Sequence, residues 1–453
     1  MSLCYQPAGL YIHVPFCRSK CPYCDFYSQT DLSLIPSYLS ALKKEMALTS
    51  PLWISLAGKG ARKFASLRSP MPSGSLRLSS MEMARDLRSA NFRAPLIPAP
   101  RPSFDTIYLG GGTPSLLKPS EITGIIEAAY RFFNVSRKAE ITLEANPGTM
   151  TPTYLAEIQA AGITRLNIGI QSFEDKTLRF LGRIHSARGA HSAIRNARKA
   201  GFGNIGLDLI YGLPHQSLRD WNKQLRIAIS YSPEHLSCYM LTFEPGTLFY
   251  QWKNSGKIQA PGDEILKAFF EKTIDFLEKS GYAYYEISNF AKSEQYQSRH
   301  NKKYWSHISY LGLGPSAHSF QEPVRYWNHS SLRKYLADLD ERRRPLGGQE
   351  ILDDDALLLE RIYLGLRTAE GIFINDLNKR FNIDFYKKFT STLSAMKDEG
   401  YISLTPERCR LTPKGRVLCD GITVRIIAST GYPFNVASDT NAERYRWLQP
   451  PAM

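Results

Sequence analysis

The sequence of 453 residues contains no apolar run that reaches the ~18 residues a membrane-spanning helix needs. Its first residues lack the basic region and the apolar core of a secretory signal peptide, so we expect a cytoplasmic protein. The seven cysteines are too few and too unevenly placed for a disulfide framework, and three of them lie within eight residues. Without a signal peptide, such clustering indicates metal ligation in a reducing compartment.

The formal net charge of +15 is concentrated in one segment. Residues 51–103 hold nine Lys and Arg against two acidic residues, and contribute +7. The segment is rich in Ser, Pro and Arg and lacks periodicity, which predicts an insertion that is at least partly disordered. It has few aromatics and no nucleic-acid-binding signature, so we expect no nucleic-acid partner, although RNA modification stays an alternative function. It is also a candidate for peripheral membrane contact, through anionic lipid, or for contact with an acidic partner.

Short apolar runs alternate with amphipathic helical patterns over the first part of the chain. This alternation is typical of βαβ units and a parallel sheet. The predicted strands are residues 9–15, 104–110, 139–145, 164–170, 204–210 and 235–241. Six units predict an α/β fold with a (β/α)6 partial barrel, a shortened relative of the eightfold TIM barrel.

The chain changes character after the last predicted barrel strand. An irregular stretch rich in aromatics and histidine is followed by helical patterns and a short hairpin, which predict a C-terminal winged-helix-like α+β domain. We therefore divide the chain into a barrel (1–50 and 104–285) interrupted by the insertion 51–103, a connector that holds the haem-motif region described below (286–345), a C-terminal domain (346–430) and a tail (431–453).

Three cysteines directly follow the first predicted strand, in the pattern Cys17-x3-Cys21-x2-Cys24. Thiolates are the usual ligands of iron–sulfur clusters, and three of them leave one iron of a [4Fe–4S] cubane without a protein ligand. The alternative is a zinc site, which needs a fourth Cys or His nearby. An open iron suits the binding and reductive cleavage of a small molecule better than electron transfer alone.

Polar or glycine residues stand at the ends of several predicted strands. The second strand ends in Gly110-Gly111-Gly112-Thr113-Pro114, and Glu144, Gln171 and Asp208 lie near the ends of the next three. Because active-site residues in such barrels collect at the carboxyl ends of the strands, we expect these residues at one edge of the sheet.

The run YIHVPFCRSKCPYCDFYS resembles the signature of the radical S-adenosylmethionine superfamily, and the resemblance extends over residues 9–50 and 104–425. Within the superfamily the chain is similar to the HemN/HemW group, the oxygen-independent coproporphyrinogen oxidase-like proteins. The resemblance implies that S-adenosylmethionine binds at the open iron. It also implies which residues contact S-adenosylmethionine, and some of these belong to a second S-adenosylmethionine site of the oxidase branch. The residues are Tyr11, Tyr23, Gly111, Gly112, Thr113, Glu144, Gln171, Arg183 and Asp208.

The oxidase branch of this group differs from the chain in two features. Oxidases of this group have a cysteine pattern similar to C-x3-C-x2-C-x-C. In this chain Phe26 occupies the position of the fourth cysteine. They also have a longer N-terminal arm than the 16 residues that precede Cys17. Both differences disfavour oxidative decarboxylation of coproporphyrinogen III, and whether the protein is an enzyme stays open.

A second motif, His300-Asn301-Lys302-Lys303-Tyr304-Trp305, matches the HNxxYW haem-binding motif of the HemW branch. Histidine can ligate haem iron, and Tyr304 and Trp305 offer flat apolar faces to a porphyrin. The alternative ligands are His307, His318 and His329, with His318 as the second choice. The resemblance therefore implies a haem chaperone in porphyrin metabolism that passes haem to an acceptor haemoprotein. An oxygen-independent coproporphyrinogen III dehydrogenase is the alternative.

Overall fold

The computed structural model describes residues 6–57 and 103–429. The strands are β1 Ala8–Val14, β2 Ser103–Gly111, β3 Asn134–Ala145, β4 Arg165–Gln171, β5 Ile205–Tyr211, β6 His235–Met240, β7 Ala283–Glu286, β8 Asn289–Ala291, β9 Tyr310–Leu313, β10 His318–Gln321, β11 Val324–Asn328, β12 Leu346–Ile351, β13 Ile372–Phe373, β14 Ile402–Leu404 and β15 Arg408–Leu411. The helices are α1 Ile35–Ala57, α2 Pro119–Phe132, α3 Pro152–Ala160, α4 Asp175–Phe180, α5 Ala187–Lys199, α6 Leu218–Ser230, α7 Leu248–Asn254, α8 Asp263–Lys279, α9 Arg299–Trp305, α10 Leu332–Asp340, α11 Asp354–Leu366, α12 Ile374–Phe381, α13 Phe385–Lys388, α14 Thr390–Asp398, α15 Pro413–Arg416 and α16 Cys419–Ala428.

A single large sheet has the strand order β12-β11-β10-β9-β1-β2-β3-β4-β5-β6-β8-β7. Strands β1 to β6 pair in parallel, each with the next along the chain, and β9 pairs in parallel with the other side of β1. These six strands are the six that the sequence predicts. The α/β fold with a parallel sheet is therefore confirmed, and antiparallel strands extend the sheet on both sides.

The two faces of the parallel strands differ in polarity. Leu10, Ile12 and Val14 of β1 are fully buried in the main core, together with Leu42 and Met46 of α1. Burial of each aliphatic side chain of this kind contributes about 1.5–3 kcal/mol. The opposite face, which we call the concave face, carries polar and aromatic side chains that contact one another across neighbouring strands. Polar side chains therefore line the inside of the barrel, and apolar side chains pack on its outside.

The helices begin at capping residues that the sequence supplies. Thr151, Ser186 and Ser217 each accept a hydrogen bond from a backbone N–H in the first turn of α3, α5 and α6. Such caps satisfy donors that have no partner inside the helix. The helices therefore start close behind the carboxyl ends of the strands, where they fix the loops that carry the site.

The C-terminal unit has its own sheet, of order β13-β15-β14, and its own core. Helices α11, α12, α14 and α16 contribute Ile362, Leu377, Leu393 and Ile426 to this core. Strands β14 and β15 form the predicted hairpin, so the winged-helix-like α+β domain is confirmed. The exact division of the chain into domains stays a prediction.

Helix α11 also joins the C-terminal unit to the large sheet. Glu360 of α11 accepts a hydrogen bond from Arg325 of β11 at 2.5 Å and is 2.9 Å from His307. Leu357 packs with Phe320 of β10. Part of the concave face of the added strands is therefore covered by α11.

Most of the predicted insertion 51–103 lies outside the described residues. The predictions that it is partly disordered and that it contacts lipid therefore concern residues outside the described part of the chain. Residues 51–57 continue α1, and Trp53 packs against Phe104 of β2 with ring centroids 5.7 Å apart. Among the residues that are described, no helix is both long and apolar enough to cross a membrane.

Candidate cofactor site

The three clustered cysteines lie in a loop that begins where β1 ends. The loop is closed at its base, because the N–H of Cys17 donates to the carbonyl oxygen of Gln29 at 2.9 Å. The N–H of Gln29 in turn donates to the carbonyl of Pro15 at 2.8 Å. The loop therefore projects from the carboxyl end of the first parallel strand.

The glycine-rich end of β2 holds this loop from the side. The N–H of Gly112 donates to Val14 at 2.9 Å, and that of Thr113 donates to Phe16 at 2.8 Å. A Cβ on Gly112 would lie 2.7 Å from the carbonyl oxygen of Phe16, so only glycine allows this approach. The run of three glycines thus lets the backbone of β2 approach the start of the cysteine loop.

A second glycine lies under the middle of the loop. Gly182 has a φ of +68°, and a Cβ there would lie 2.5 Å from Cδ of Pro22. The Sγ of Cys21 is 3.9 Å from the Gly182 carbonyl oxygen and 3.6 Å from Nη1 of Arg183. The loop between α4 and α5 therefore supports the central cysteine.

Cys17 and Cys21 act electrostatically on Cys24. Burial, with smaller contributions from the nearby charges of Cys21 and Cys17, raises the pKa of Cys24 to about 12. Cys17, Cys21 and Cys24 are partly exposed, whereas Cys238, Cys409 and Cys419 are buried. Three accessible thiols on one loop fit a [4Fe–4S] cluster, whose positive irons would stabilise the thiolate form.

Glu144, at the end of β3, faces the concave side beside this loop. It accepts hydrogen bonds from the Tyr108 hydroxyl at 2.8 Å and the Gly111 N–H at 3.0 Å. Burial, with a smaller contribution from the neighbouring charge of Asp208, raises the pKa of Glu144 to about 7. At neutral pH this carboxyl group is therefore partly protonated in the absence of a cation.

Asp208, on β5, is a second carboxyl group on this face, and both it and Glu144 are half-buried. Both of its oxygens accept from Nδ2 of Asn167, at 3.0 and 2.8 Å. Burial raises the pKa of Asp208 to about 6. The two acids make the concave face a region that would favour a positively charged ligand.

Arg183 connects the cysteine loop with the strand ends. Its Nη2 donates to the carbonyl of Gly169 at 2.9 Å and to Oδ1 of Asn146, while Nη1 lies near the Cys21 sulfur. Burial raises the pKa of Tyr23, and the charge of Arg183 lowers that pKa by a smaller amount. Arg183 is thus the one guanidinium among the predicted S-adenosylmethionine contacts.

Gln171 closes β4 with a φ of +62°, a conformation that is uncommon for residues other than glycine. Within the described residues, its Oε1 is buried without a hydrogen-bond partner. An unsatisfied buried amide costs about 1–3 kcal/mol. A polar ligand at this position would remove that penalty.

All the residues predicted to contact S-adenosylmethionine lie in this region. Tyr11 joins them because its ring lies 6.1 Å from that of Tyr108 and its hydroxyl is 3.1 Å from Nδ1 of His13. The sequence analysis missed Tyr108, Asn146 and Asn167. Asn146 follows the end of β3, so the strand-end pattern could have found it, whereas Tyr108 and Asn167 lie inside strands.

The HNxxYW motif lies on helix α9. Ser298 caps this helix, and Glu140 of β3 accepts the N–H of Arg299 at 3.0 Å. His300 is fully buried and its Nδ1 is 2.8 Å from the hydroxyl of Thr106, near the start of β2. The motif is therefore close to the amino end of β2, and the His300 ring packs against Tyr108 and Tyr11 of the concave face, with centroids 5.1 and 6.2 Å apart.

Both ring nitrogens of His300 have partners. Nε2 is 2.9 Å from the Tyr304 hydroxyl, and burial lowers the pKa of His300 to about 3. Asn301, Tyr304 and Trp305 are buried as well, and Arg367 of the C-terminal unit lies over the Trp305 ring. The structure brings the four motif residues together in one packed helix without exposing them.

The alternative histidines differ in accessibility. His307 is buried and hydrogen-bonded to Glu360, and Nε2 of His329 lies 3.4 Å from Asp338. His318 is exposed on β10, with its ring stacked on Trp327.

Two family models match the chain. Residues 81–226 match the Radical SAM superfamily, and residues 352–418 match the HemN C-terminal domain. The fold is similar to that of coproporphyrinogen III oxidase (HemN) from Escherichia coli, with a TM-score of 0.72 and 22% identity over 93% of this chain and 90% of that chain. The cysteine loop on a parallel sheet and these matches define a radical S-adenosylmethionine protein.

Curated relatives give a narrower assignment. The chain is 30% identical to the protein "Heme chaperone HemW" of Bacillus subtilis (strain 168), over 90% of this chain and 96% of the relative. It is 31% identical to "Heme chaperone HemW" of Mycobacterium tuberculosis (strain ATCC 25618 / H37Rv), over 92% and 94%. It is also 30% identical to "Radical S-adenosyl methionine domain-containing protein 1, mitochondrial" of Danio rerio, over 93% and 87%. The chain therefore belongs to the HemW family of radical S-adenosylmethionine proteins.

Proposed function

We propose that this protein is a haem chaperone, which binds haem and transfers it to an acceptor haemoprotein, and which also holds a [4Fe–4S] cluster and S-adenosylmethionine. The observation that carries the proposal is the 31% identity with a named heme chaperone over 92% of the chain, because it extends well beyond the cysteine motif.

The cofactor part of the proposal rests on the residues at the carboxyl ends of the strands. Cys17, Cys21 and Cys24 would supply the thiolates for the cluster. When bound, cluster and S-adenosylmethionine together supply the capacity for reductive cleavage of a carbon–sulfur bond. The cysteine loop keeps its shape through Gly112 and Gly182, so the thiols are held in place before any cofactor binds.

The charges of the concave face match the groups of S-adenosylmethionine. Glu144 and Asp208 would ionise beside its ammonium and sulfonium charges, which removes the penalty that raises their pKa values. The guanidinium of Arg183 would donate hydrogen bonds to the ligand's carboxylate. Gln171 would gain a partner for its buried amide oxygen.

The haem part of the proposal is tested by titrating hemin into the full-length protein after anaerobic purification and cluster reconstitution. We expect a Soret difference spectrum that saturates at one haem per chain. Adding apomyoglobin as a probe acceptor should then move the spectrum to that of myoglobin, with and without S-adenosylmethionine. If the protein does not bind hemin under these conditions, the chaperone function is excluded.

The alternative activity is tested with the same preparation. Coproporphyrinogen III, dithionite and S-adenosylmethionine are added without oxygen, and porphyrins are separated after reoxidation. We expect no protoporphyrin, because Phe26 stands in the place of the oxidases' fourth cysteine. Conversion that depends on Cys24 would instead support the dehydrogenase.

A further inference from the structure

The C-terminal unit covers one end of α9, the helix that carries the HNxxYW motif. The guanidinium of Arg367, directly after α11, lies 5.5 Å from the centroid of the Trp305 ring. It also lies 5.3 Å from the centroid of the Tyr363 ring and donates to the Tyr363 hydroxyl at 3.0 Å. Trp305, the last residue of the motif, is buried. A cation of the C-terminal unit therefore covers the indole of the motif.

A second contact joins the C-terminal unit to the chain that leaves α9. Nε2 of His307 lies 2.9 Å from Oε2 of Glu360 on α11, and both side chains are almost fully buried. Arg325 of β11 donates to the same oxygen at 2.5 Å. Although burial raises the pKa of Glu360, the hydrogen bonds from His307 and Arg325 lower it below its ordinary value. The ionised carboxylate of Glu360 therefore holds α11 beside the end of α9.

This contact region contains several buried polar atoms without a hydrogen-bond partner. Among the residues that the structure describes, they include Trp305 Nε1, His307 Nδ1, Glu360 Oε1 and Arg367 Nε. A buried polar atom that has lost its hydrogen bonds to water and gained none is destabilising. Separation of α11 from α9 would return these atoms to water. The contact is therefore less stable than its ring contacts and hydrogen bonds alone would make it.

The C-terminal unit has a core that does not depend on this contact. Ile362 and Leu366 of α11 pack inside the unit, with apolar residues of its other helices and strands. The apolar contact of α11 with the large sheet is a small cluster around Phe320 and Leu357. Small, polar interfaces between domains permit relative motion. The unit can therefore move away from α9 while its own core stays packed.

Two backbone hydrogen bonds attach the unit at one edge of the large sheet. The N–H of Ile287 donates to the carbonyl of Arg367 at 3.1 Å, and the N–H of Ala369 donates to the carbonyl of Tyr285 at 3.0 Å. Both bonds lie beside β7, the last strand at that edge. Residues 367–369 are therefore the point about which the unit can turn.

The rest of α9 is held by the barrel. Glu140 of β3 accepts the N–H of Arg299 at the start of the helix. His300 keeps its hydrogen bonds with Thr106 and Tyr304 as long as the helix stays in place. Because the barrel holds one end of α9 and the C-terminal unit covers the other, His300 is released only when the covered end becomes free.

We propose that the C-terminal unit is a cover for the haem motif, and that haem binds only after the unit has turned away from α9 and uncovered Trp305. The apparent affinity for haem is then reduced in proportion to the small fraction of molecules that are open. Weakening the cover raises this fraction and with it the affinity. This inference rests on the proposed haem-binding function.

The experiment measures the affinity and the association rate of hemin in full-length, cluster-reconstituted protein. Arg367→Ala removes the cation over Trp305, and Glu360→Gln removes the charge that holds His307. We expect each variant to bind hemin at least about fivefold more tightly than the wild type, and faster, because more molecules are open. The matched control is Arg408→Ala, whose guanidinium lies 4.2 Å from the centroid of the Phe373 ring inside the C-terminal unit. It should bind hemin as the wild type does.

A second measurement follows the cover itself in the wild type. Amide hydrogen exchange is compared with and without hemin. Exchange in residues 354–366 of α11 should become faster when hemin is added, because haem selects the open molecules and α11 then loses its packing against α9. Unchanged or slower exchange in α11 at saturating hemin would contradict the cover.

The outcomes separate the inference from the function on which it rests. If the wild type binds no hemin, the chaperone function fails and the cover fails with it. If the wild type binds hemin and neither variant binds it more tightly, only the cover is excluded. An equal gain in Arg408→Ala would also exclude it, since the gain would then come from a general loosening of the unit. Circular dichroism checks that each variant is folded, and Glu360→Gln decides if Arg367→Ala is not.

Discussion

Replacing Glu144 by glutamine should flatten the pH dependence of the protein's stability in the absence of S-adenosylmethionine. The wild type should lose stability as the pH rises from about 5.5 to about 8, because the buried carboxyl group must ionise inside the folded protein. Glutamine keeps the size of the side chain but cannot ionise. Its amide oxygen can accept from the Gly111 N–H, and its amide NH2 can donate to the Tyr108 hydroxyl oxygen.

The size of the effect follows from the pKa of Glu144, which rises from an ordinary 4.5 to about 7 in the folded protein. A raised carboxyl pKa means that the folded state binds the proton more tightly than the unfolded state. The resulting stability is fully present below the unfolded pKa and is lost as the pH rises through 7. Since one pKa unit corresponds to 1.36 kcal/mol, the loss between about pH 5.5 and 8 is about 2 kcal/mol.

The assay is urea unfolding of the cluster-loaded protein under anaerobic conditions at both pH values, followed by circular dichroism. The wild type should lose about 2 kcal/mol more than Glu144→Gln over this range. Glu157→Gln, at an exposed position on α3, should follow the wild type. Equal pH dependence in the wild type and Glu144→Gln would refute the reasoning. Saturating S-adenosylmethionine should reduce the wild-type dependence if its cationic groups lie beside Glu144.

Two further substitutions test the cysteine loop. Cys24→Ala should abolish the incorporation of iron and sulfide on reconstitution. The control Cys238→Ala, at a buried position on β6, should retain both. Equal iron content in the two variants would contradict the assignment of Cys24 as a ligand. Gly182→Ala should destabilise the protein by about 1–3 kcal/mol and reduce its iron content, because its φ of +68° and the contact with Pro22 exclude a Cβ. Gly203→Ala, where a Cβ would meet nothing within 4 Å, is the control, and equal effects would disprove the steric argument.

The sequence predicts the six parallel strands because each has an apolar face that must be buried. The largest boundary error is in β3, which starts at Asn134 and not near residue 139. Asn134 and Val135 pair with Ser103 and Phe104 before the register shifts. The residues there are mostly polar and exposed, so no hydrophobic pattern marks the extension.

The strand-end rule predicts Glu144, Gln171 and Asp208 as neighbours because parallel strands end at a common edge. It does not predict Asn167, whose amide holds both oxygens of Asp208 from inside β4. A polar residue within a buried strand can be identified as part of the site only when its partner across the sheet is known. The same holds for Tyr108 and its hydrogen bond to Glu144.

The HNxxYW motif shows why residue types do not determine a ligand. The motif supplies an imidazole and two aromatic rings, but the sequence does not reveal that Thr106 and Tyr304 occupy both nitrogens of His300. Exposing this histidine would break two hydrogen bonds, each worth about 0.5–1.5 kcal/mol. Ligation by His300 therefore requires at least one of these hydrogen bonds to break.

The packing of α9 gives the motif a second way to influence haem binding. Tyr304 packs edge-on against Tyr310 of β9 at 4.6 Å, and Tyr310 pairs with Phe320, two residues from His318. The motif thus supports strands β9 and β10. A weaker affinity in a His300 variant would be expected whether His300 binds the iron or only supports β10. Only the ligand signal of the bound haem separates the two roles, because packing changes the affinity while the ligand determines the spectrum.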